Sequence, residues 1–87
     1  MQVVVESRFR RRLKRKGRWM QEAIAECIQR LSEDPTHPGL NVHRVQGAPG
    51  VWEAYIDQAN RLTFHYDDDG RIVLRNHCNH SIVKQSP

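Results

Sequence analysis

Two histidines, His43 and His80, bracket a run of alternating apolar and polar residues with Asp57 and Arg61 near its middle. Strands that meander bring such distant positions side by side. Cleaving RNA without a metal needs a base for the 2′-hydroxyl, an acid for the leaving 5′-oxygen, and cations for the charge that builds on the phosphate. Histidine suits both proton roles because its unperturbed pKa is about 6.5. The residue types fit, with His43 as general base and His80 as general acid, although the sequence leaves the two roles interchangeable. Asp57 would orient an imidazole or accept a proton itself. Arg61 and Arg75 are the candidate phosphate ligands, since a guanidinium pairs bidentately with phosphate. Lys84 adds a point charge, and Arg44 is a further candidate.

Other residues of reactive type have plainer readings. His37, His65 and His77 have no motif around them and are expected at the surface. Trp52 and Tyr55 read as core and sheet residues, and Trp19 as a helix-junction or partner-facing residue. The run His77-Cys78-Asn79-His80 invites a metal reading, but strand alternation sets His77 opposite Cys78 and His80. No second Cys/His cluster at ligand spacing accompanies it, so no metal centre is expected. Cys27 falls on an apolar helix face and reads as a buried small residue. Two cysteines are too few for a disulfide scaffold.

The elements that must position these groups follow from pattern. Residues 2 to 5 are a β-branched run and read as a strand. Ser7 is placed to cap a helix from Arg8, with Phe9 and Leu13 as its apolar stripe and Gly17 breaking it. A second helix over Arg18 to Glu33 repeats apolar residues at three-four spacing: Met20, Ala23, Ile24, Cys27, Ile28, Leu31. Asp34-Pro35 stops it. Strands are then expected from Leu40 to Val45, Val51 to Asp57, Arg61 to Tyr66 and Arg71 to Cys78, the last two joined by the Asp69-Gly70 turn. The expected fold is α+β in one domain, residues 1 to 87. An N-terminal strand and a helical hairpin pack on a curved antiparallel sheet of three to four strands, whose other face is free to work.

Charge narrows the partners. The net charge is +4, and the stretch RFRRRLKRKGR from Arg8 to Arg18 concentrates it. Eight cations on one short helix repel each other and suit a polyanion or an acidic protein segment. Arg8, Arg11, Arg12 and Arg15 are the expected contacts. No apolar run is long enough to span a membrane and none has the form of a signal-peptide core, so a cytoplasmic setting is expected.

The helix hairpin followed by HRVQGAPGVWEAYID and NRLTFHYDDDGRIVLRNHCNHSIVK resembles the RelE/ParE superfamily of type II toxin–antitoxin toxins, most closely its RelE/YafQ-like branch. The resemblance covers nearly the whole chain. It implies a metal-independent, cofactor-free endoribonuclease, an mRNA interferase that cuts mRNA at the ribosomal A site. It implies a cognate antitoxin as partner, besides mRNA and ribosomal RNA. By motif position His43, Asp57 and His80 fall on the family's active-site residues. Three positions depart from the pattern: Asn60 where an acid is frequent, Ile56 where an arginine is common, and Lys84 where a terminal aromatic stacks on a base. The alternatives are a ParE-like toxin that inhibits DNA gyrase without chemistry, and a degenerate toxin that keeps antitoxin binding alone.

Overall fold

A computed structural model of the chain describes residues 1–83 and 85–87, with His80 described in its backbone alone. Strand β1 (Val3–Val5) leads into helix α1 (Ser7–Lys14) and helix α2 (Arg18–Glu33). A 3₁₀ turn, Pro38–Leu40, precedes β2 (His43–Arg44), β3 (Trp52–Tyr55), β4 (Asn60–Tyr66) and β5 (Ile72–Asn79). A second 3₁₀ turn, His80–Ile82, follows.

The sheet differs from the expected three- to four-stranded antiparallel one. It has five strands in the order β1-β5-β4-β3-β2, and it is mixed. The meander β2 to β5 is antiparallel, but β1 lies parallel to β5, with Val3 opposite Ile72 and Val5 opposite Leu74. The helical hairpin is the crossover that makes a parallel pairing of first and last strands reachable.

Local signals hold in part. Helix α2 spans the expected residues and buries Ile24, Cys27 and Leu31. Ser7 does not cap α1: Glu6 occupies the cap position in extended backbone, and no side chain bonds there. Helix α1 already ends at Lys14, and Gly17 serves as the cap residue of α2. The strand expected from Leu40 shrinks to His43–Arg44. Leu40 is caught in the 3₁₀ turn, and Asn41 with φ 44° bends the chain left-handed before it can pair.

One irregularity decides which side chains face which way. Phe64 pairs with Leu74, but Thr63 pairs with Asn76, so Arg75 has no opposite number on β4. An extra residue in one strand reverses the alternation beyond it. Ile72 and Leu74 face the helices before the bulge, and His77 faces them after it, opposite Leu62. His77, expected at the surface, is therefore buried, with its ring edge-on to Phe9 at 4.7 Å between centroids.

The main core lies between helices and sheet: Phe9, Ile24, Leu31, Leu62, Phe64, Ile72 and Leu74 are at most 1% exposed. A second, small cluster of Val45, Val51 and Val83 sits apart from it, with Cys78 packed against it. Phe9 is the buried residue of α1 and pins that charged helix to β5. Phe9→Ala should cost about 3–5 kcal/mol, the range for emptying a buried aromatic site. A urea titration of both proteins checks it, and a loss under about 1 kcal/mol would mean that α1 is held elsewhere.

Candidate functional site

Residues paired across antiparallel strands point to the same side. The pairs His43–Glu53, Tyr55–Arg61 and Arg61–Cys78 therefore line the face away from the helices. His43 Nε2 lies 2.8 Å from Glu53 Oε1, and Arg61 Nε lies 3.8 Å from the same oxygen. The Arg61 guanidinium stacks over the Tyr55 ring, 4.9 Å from its centroid. Glu53 is the focus of the group, with a side chain only 15% exposed against 49% for His43.

His43 bridges two oxygens. Its Nδ1 lies 2.7 Å from the Asn41 carbonyl, and Nε2 faces the Glu53 carboxylate. Both partners accept, while a neutral imidazole holds a single N–H. The Glu53 carboxylate stands beside His43 as a second group able to accept a proton.

Asp57 stands beside the corner and holds its turn. Its Oδ1 accepts from the Ala59 and Asn60 backbone N–H groups and from Asn60 Nδ2, each at 2.9 Å. Burial pushes its carboxyl up, and the hydrogen bonds from Asn60 and Ala59, with the Arg61 charge, overcome that and leave it below the ordinary carboxylate value. Arg61 Nη1 donates to the Asp57, Asn60 and Gln58 carbonyls at 2.7, 3.0 and 3.3 Å. Asp57 thus positions Arg61, and no hydrogen bond or ion pair joins its carboxylate to His43 among the described residues.

The remaining sequence candidates scatter. Arg44 pairs with Trp52 on the helix side, its guanidinium 5.1 Å from the indole centroid, so the sheet separates it from His43. Arg75 sits at the bulge and donates from Nη1 to His65 Nδ1 at 3.0 Å and from Nε to the Pro87 carbonyl at 3.2 Å. A guanidinium only donates, so His65 keeps its own proton on Nε2. His80 follows Asn79, the register partner of Asn60, so its backbone arrives beside the Asp57 turn. Its side chain, and all of Lys84, lie outside the described residues. On α1, Arg8 and Arg11 are exposed, as is Arg15 just past its end, and Arg12 Nη1 donates to Asn76 Oδ1 at 2.7 Å.

The sheet face is not wholly free. Thr63 Oγ1 donates to the Pro87 carbonyl, and Asn76 Nδ2 donates to the Ser86 carbonyl at 2.8 Å, so the end of the chain lies across it. Glu53 and Tyr55 were not among the sequence candidates. Their signal was a polar pair on either side of Ala54, which alternation places opposite the core.

Two buried groups flank this face. Cys27 has its thiol pushed up to about 11 by burial, with Sγ 3.6 Å from the Tyr55 carbonyl. The His77 imidazole is held neutral, its pKa lowered by burial first and then by the Lys16 and Arg12 charges. The Phe9 backbone opposes that shift, and neither ring nitrogen has a hydrogen-bond partner among the described residues.

This order of strand, helical hairpin and antiparallel meander, with a cationic helix at the edge, defines an α+β class of small basic proteins. Solved structures place it further. The YoeB/ParE toxin from Agrobacterium tumefaciens superposes with a TM-score of 0.72 at 18% identity, over 92% of this chain and 99% of that one. YafQ from E. coli gives 0.73 at 12% identity, over 93% and 94%. The archaeal RelE of the RelE–RelB complex from Pyrococcus horikoshii gives 0.70 at 13% identity, over 90% and 92%. The chain has the RelE/ParE toxin fold. No protein-family model and no curated protein matches the sequence.

Burial of a neutral imidazole sets a pH dependence. The unfolded chain binds a proton on His77 near pH 6.5, and the native state does so only at lower pH. Stability is complete above about pH 6.5 and falls as the pH drops from there through the lower native value. Urea midpoints at pH 7.5 and 5.0 should show this loss, and His77→Phe should remove most of it. An equal loss in that variant would assign the effect to other groups.

Proposed function

We propose that the chain is a type II toxin that acts as a metal-independent endoribonuclease, cutting mRNA at the ribosomal A site in the cytoplasm. The observation that carries this reading is the corner where a half-buried Glu53 meets His43 at 2.8 Å and Arg61 at 3.8 Å. In-line attack moves the 2′-hydroxyl proton to Glu53, forms the bond from 2′-oxygen to phosphorus and breaks the bond to the 5′-oxygen. A 2′,3′-cyclic phosphate and a 5′-hydroxyl result. The base role given to His43 on sequence passes to the His43–Glu53 pair, with the imidazole orienting the carboxylate. His80, arriving beside the Asp57 turn, protonates the leaving oxygen. Arg61 takes the phosphate, with Arg75 and Lys84 as further cations for it.

The basic helix, through Arg8, Arg11, Arg12 and Arg15, holds ribosomal RNA or the antitoxin's acidic segment. The archaeal RelE with this fold was solved as a complex with RelB, which supports an antitoxin as partner here.

One observation favours a second reading. Arg61 already donates to three carbonyls, and Ser86 and Pro87 lie over part of the sheet face. A toxin without chemistry, ParE-like against gyrase or retaining antitoxin binding alone, needs no free arginine. Primer extension on a reporter mRNA in a purified translation system separates the readings. Discrete cuts should need ribosomes and fall by about 10²–10⁴-fold in Glu53→Ala and His80→Ala, the usual scale of lost acid or base catalysis. Folded protein that leaves mRNA intact and blocks gyrase supercoiling would overturn the ribonuclease reading.

A further inference from the structure

Beyond Leu74, β5 has no strand on its outer side among the described residues, because β1 pairs with Ile72–Leu74. The last turn of α1 and the segment after β5 flank that open edge, and a cavity of about 340 Å³ lies between them. Arg12, Arg15 and Lys16 line one wall, His77 and Cys78 the floor, and Ile82 the rim. Arg12 stands in the last turn of α1, and Arg15 and Lys16 follow in the turn just past its end, so three cations gather on one wall.

Two features of this cavity are left unbalanced by the rest of the chain. Among the described residues, no acid pairs with Arg12, Arg15 or Lys16, and only Arg12 has a side-chain hydrogen bond, to Asn76. His77 is 4% exposed, yet among the described residues neither ring nitrogen has a hydrogen-bond partner. Like charges gathered on one wall repel, and a buried polar group without a partner is costly. A single ligand relieves both: an anion with several acceptor oxygens. A phosphate monoester has three terminal oxygens to set against an ammonium, guanidinium forks and an imidazole N–H, where a carboxylate has two. The volume exceeds what a bare ion fills and reaches the range of small-ligand sites. The apolar rim at Ile82 and the Cys78 thiol suit a ring rather than water.

We propose that this edge cavity binds a phosphate monoester of nucleotide size, with Arg15, Lys16 and His77 on the phosphate. The ligand is either a free nucleotide or the phosphorylated end of an RNA. Binding here needs neither Glu53 nor His43 and stands apart from the cleavage reading.

Calorimetry and NMR on the purified chain, without ribosomes, test it. The probes are a nucleoside 3′-monophosphate, inorganic phosphate, the unphosphorylated nucleoside, and a short RNA with and without a terminal phosphate. The nucleotide should saturate the protein and move the His77 ring and Cys78 amide signals, and the nucleoside should do neither. Lys16→Ala and Arg15→Ala should each weaken binding by about tenfold, the scale of one charge-assisted hydrogen bond. Arg10→Ala removes the same charge about 200° round the helix from Arg12 and should change affinity by less than about twofold. His77→Phe, which keeps the packing on Phe9, should also weaken binding. Tighter capture of the phosphorylated RNA than of the nucleotide assigns the site to RNA ends, and the reverse to free nucleotides. Three results would overturn the proposal: no saturation below about 10 mM, which is weaker than a few kcal/mol of binding; equal binding of the nucleoside; or an Arg10→Ala loss as large as that of Lys16→Ala.

Discussion

The extra residue in β5 at Arg75 sets the working geometry of the whole sheet. Without it, alternation would send Asn76 into the helices and His77 outward. With it, Leu74 and His77 both face the helices, while Arg75, Asn76 and Cys78 turn to the other side. Phe9 then meets an imidazole rather than an aliphatic side chain, and α1 is anchored at the half of β5 that β1 leaves uncovered. The position of the cationic helix relative to the sheet follows from that anchor. Bulges recur next to functional sites for this reason, since they re-aim side chains without breaking a strand.

On the other side of the sheet, the chain spends its own groups to hold its own charges. Glu53 answers both His43 and Arg61, and Asp57 gives its carboxylate to the turn from which Arg61 springs. Arg71 is held in the same way by Asp67, at 2.7 Å, in the Asp-Gly hairpin. Exposed pairs such as this contribute under about 1 kcal/mol each. Their effect is on geometry: the half-buried Arg61 guanidinium is held in a fixed orientation over Tyr55. The arginines of α1 are different, since among the described residues only Arg12 is tied, and to a neutral amide.

The fold was legible in the sequence wherever one period dominated. The three-four repeat of α2 and the Asp69-Gly70 turn gave those elements to within a residue or two. The parallel docking of β1 was not legible, because three valines state a strand and not its neighbour. His77 was misplaced because a bulge carries no local signature: Leu74, Arg75 and Asn76 read as ordinary alternation. For the site, His43 and Arg61 were found by type and motif and do share a corner, joined through a residue that was passed over. Glu53 lies between two apolar strand residues, and a lone carboxylate in a strand gives no hint of its cross-strand partner. Asp57 was found by motif, but its part in a turn depends on Asn60, three residues on, folding back to it.

The small valine cluster on the far side of the sheet has a kinetic consequence. Among the described residues, Val83 is the one buried side chain that the segment after β5 contributes to it, alongside hydrogen bonds at Ser86 and Pro87. Burying one valine is worth about 1.5–3 kcal/mol, well below the stability of a typical folded chain. Release of that segment is therefore a sub-global opening that leaves β4 and β5 paired. Thr63 and Asn76 would meet solvent during such openings, many times for every global unfolding event, so the face is sealed only on average over time.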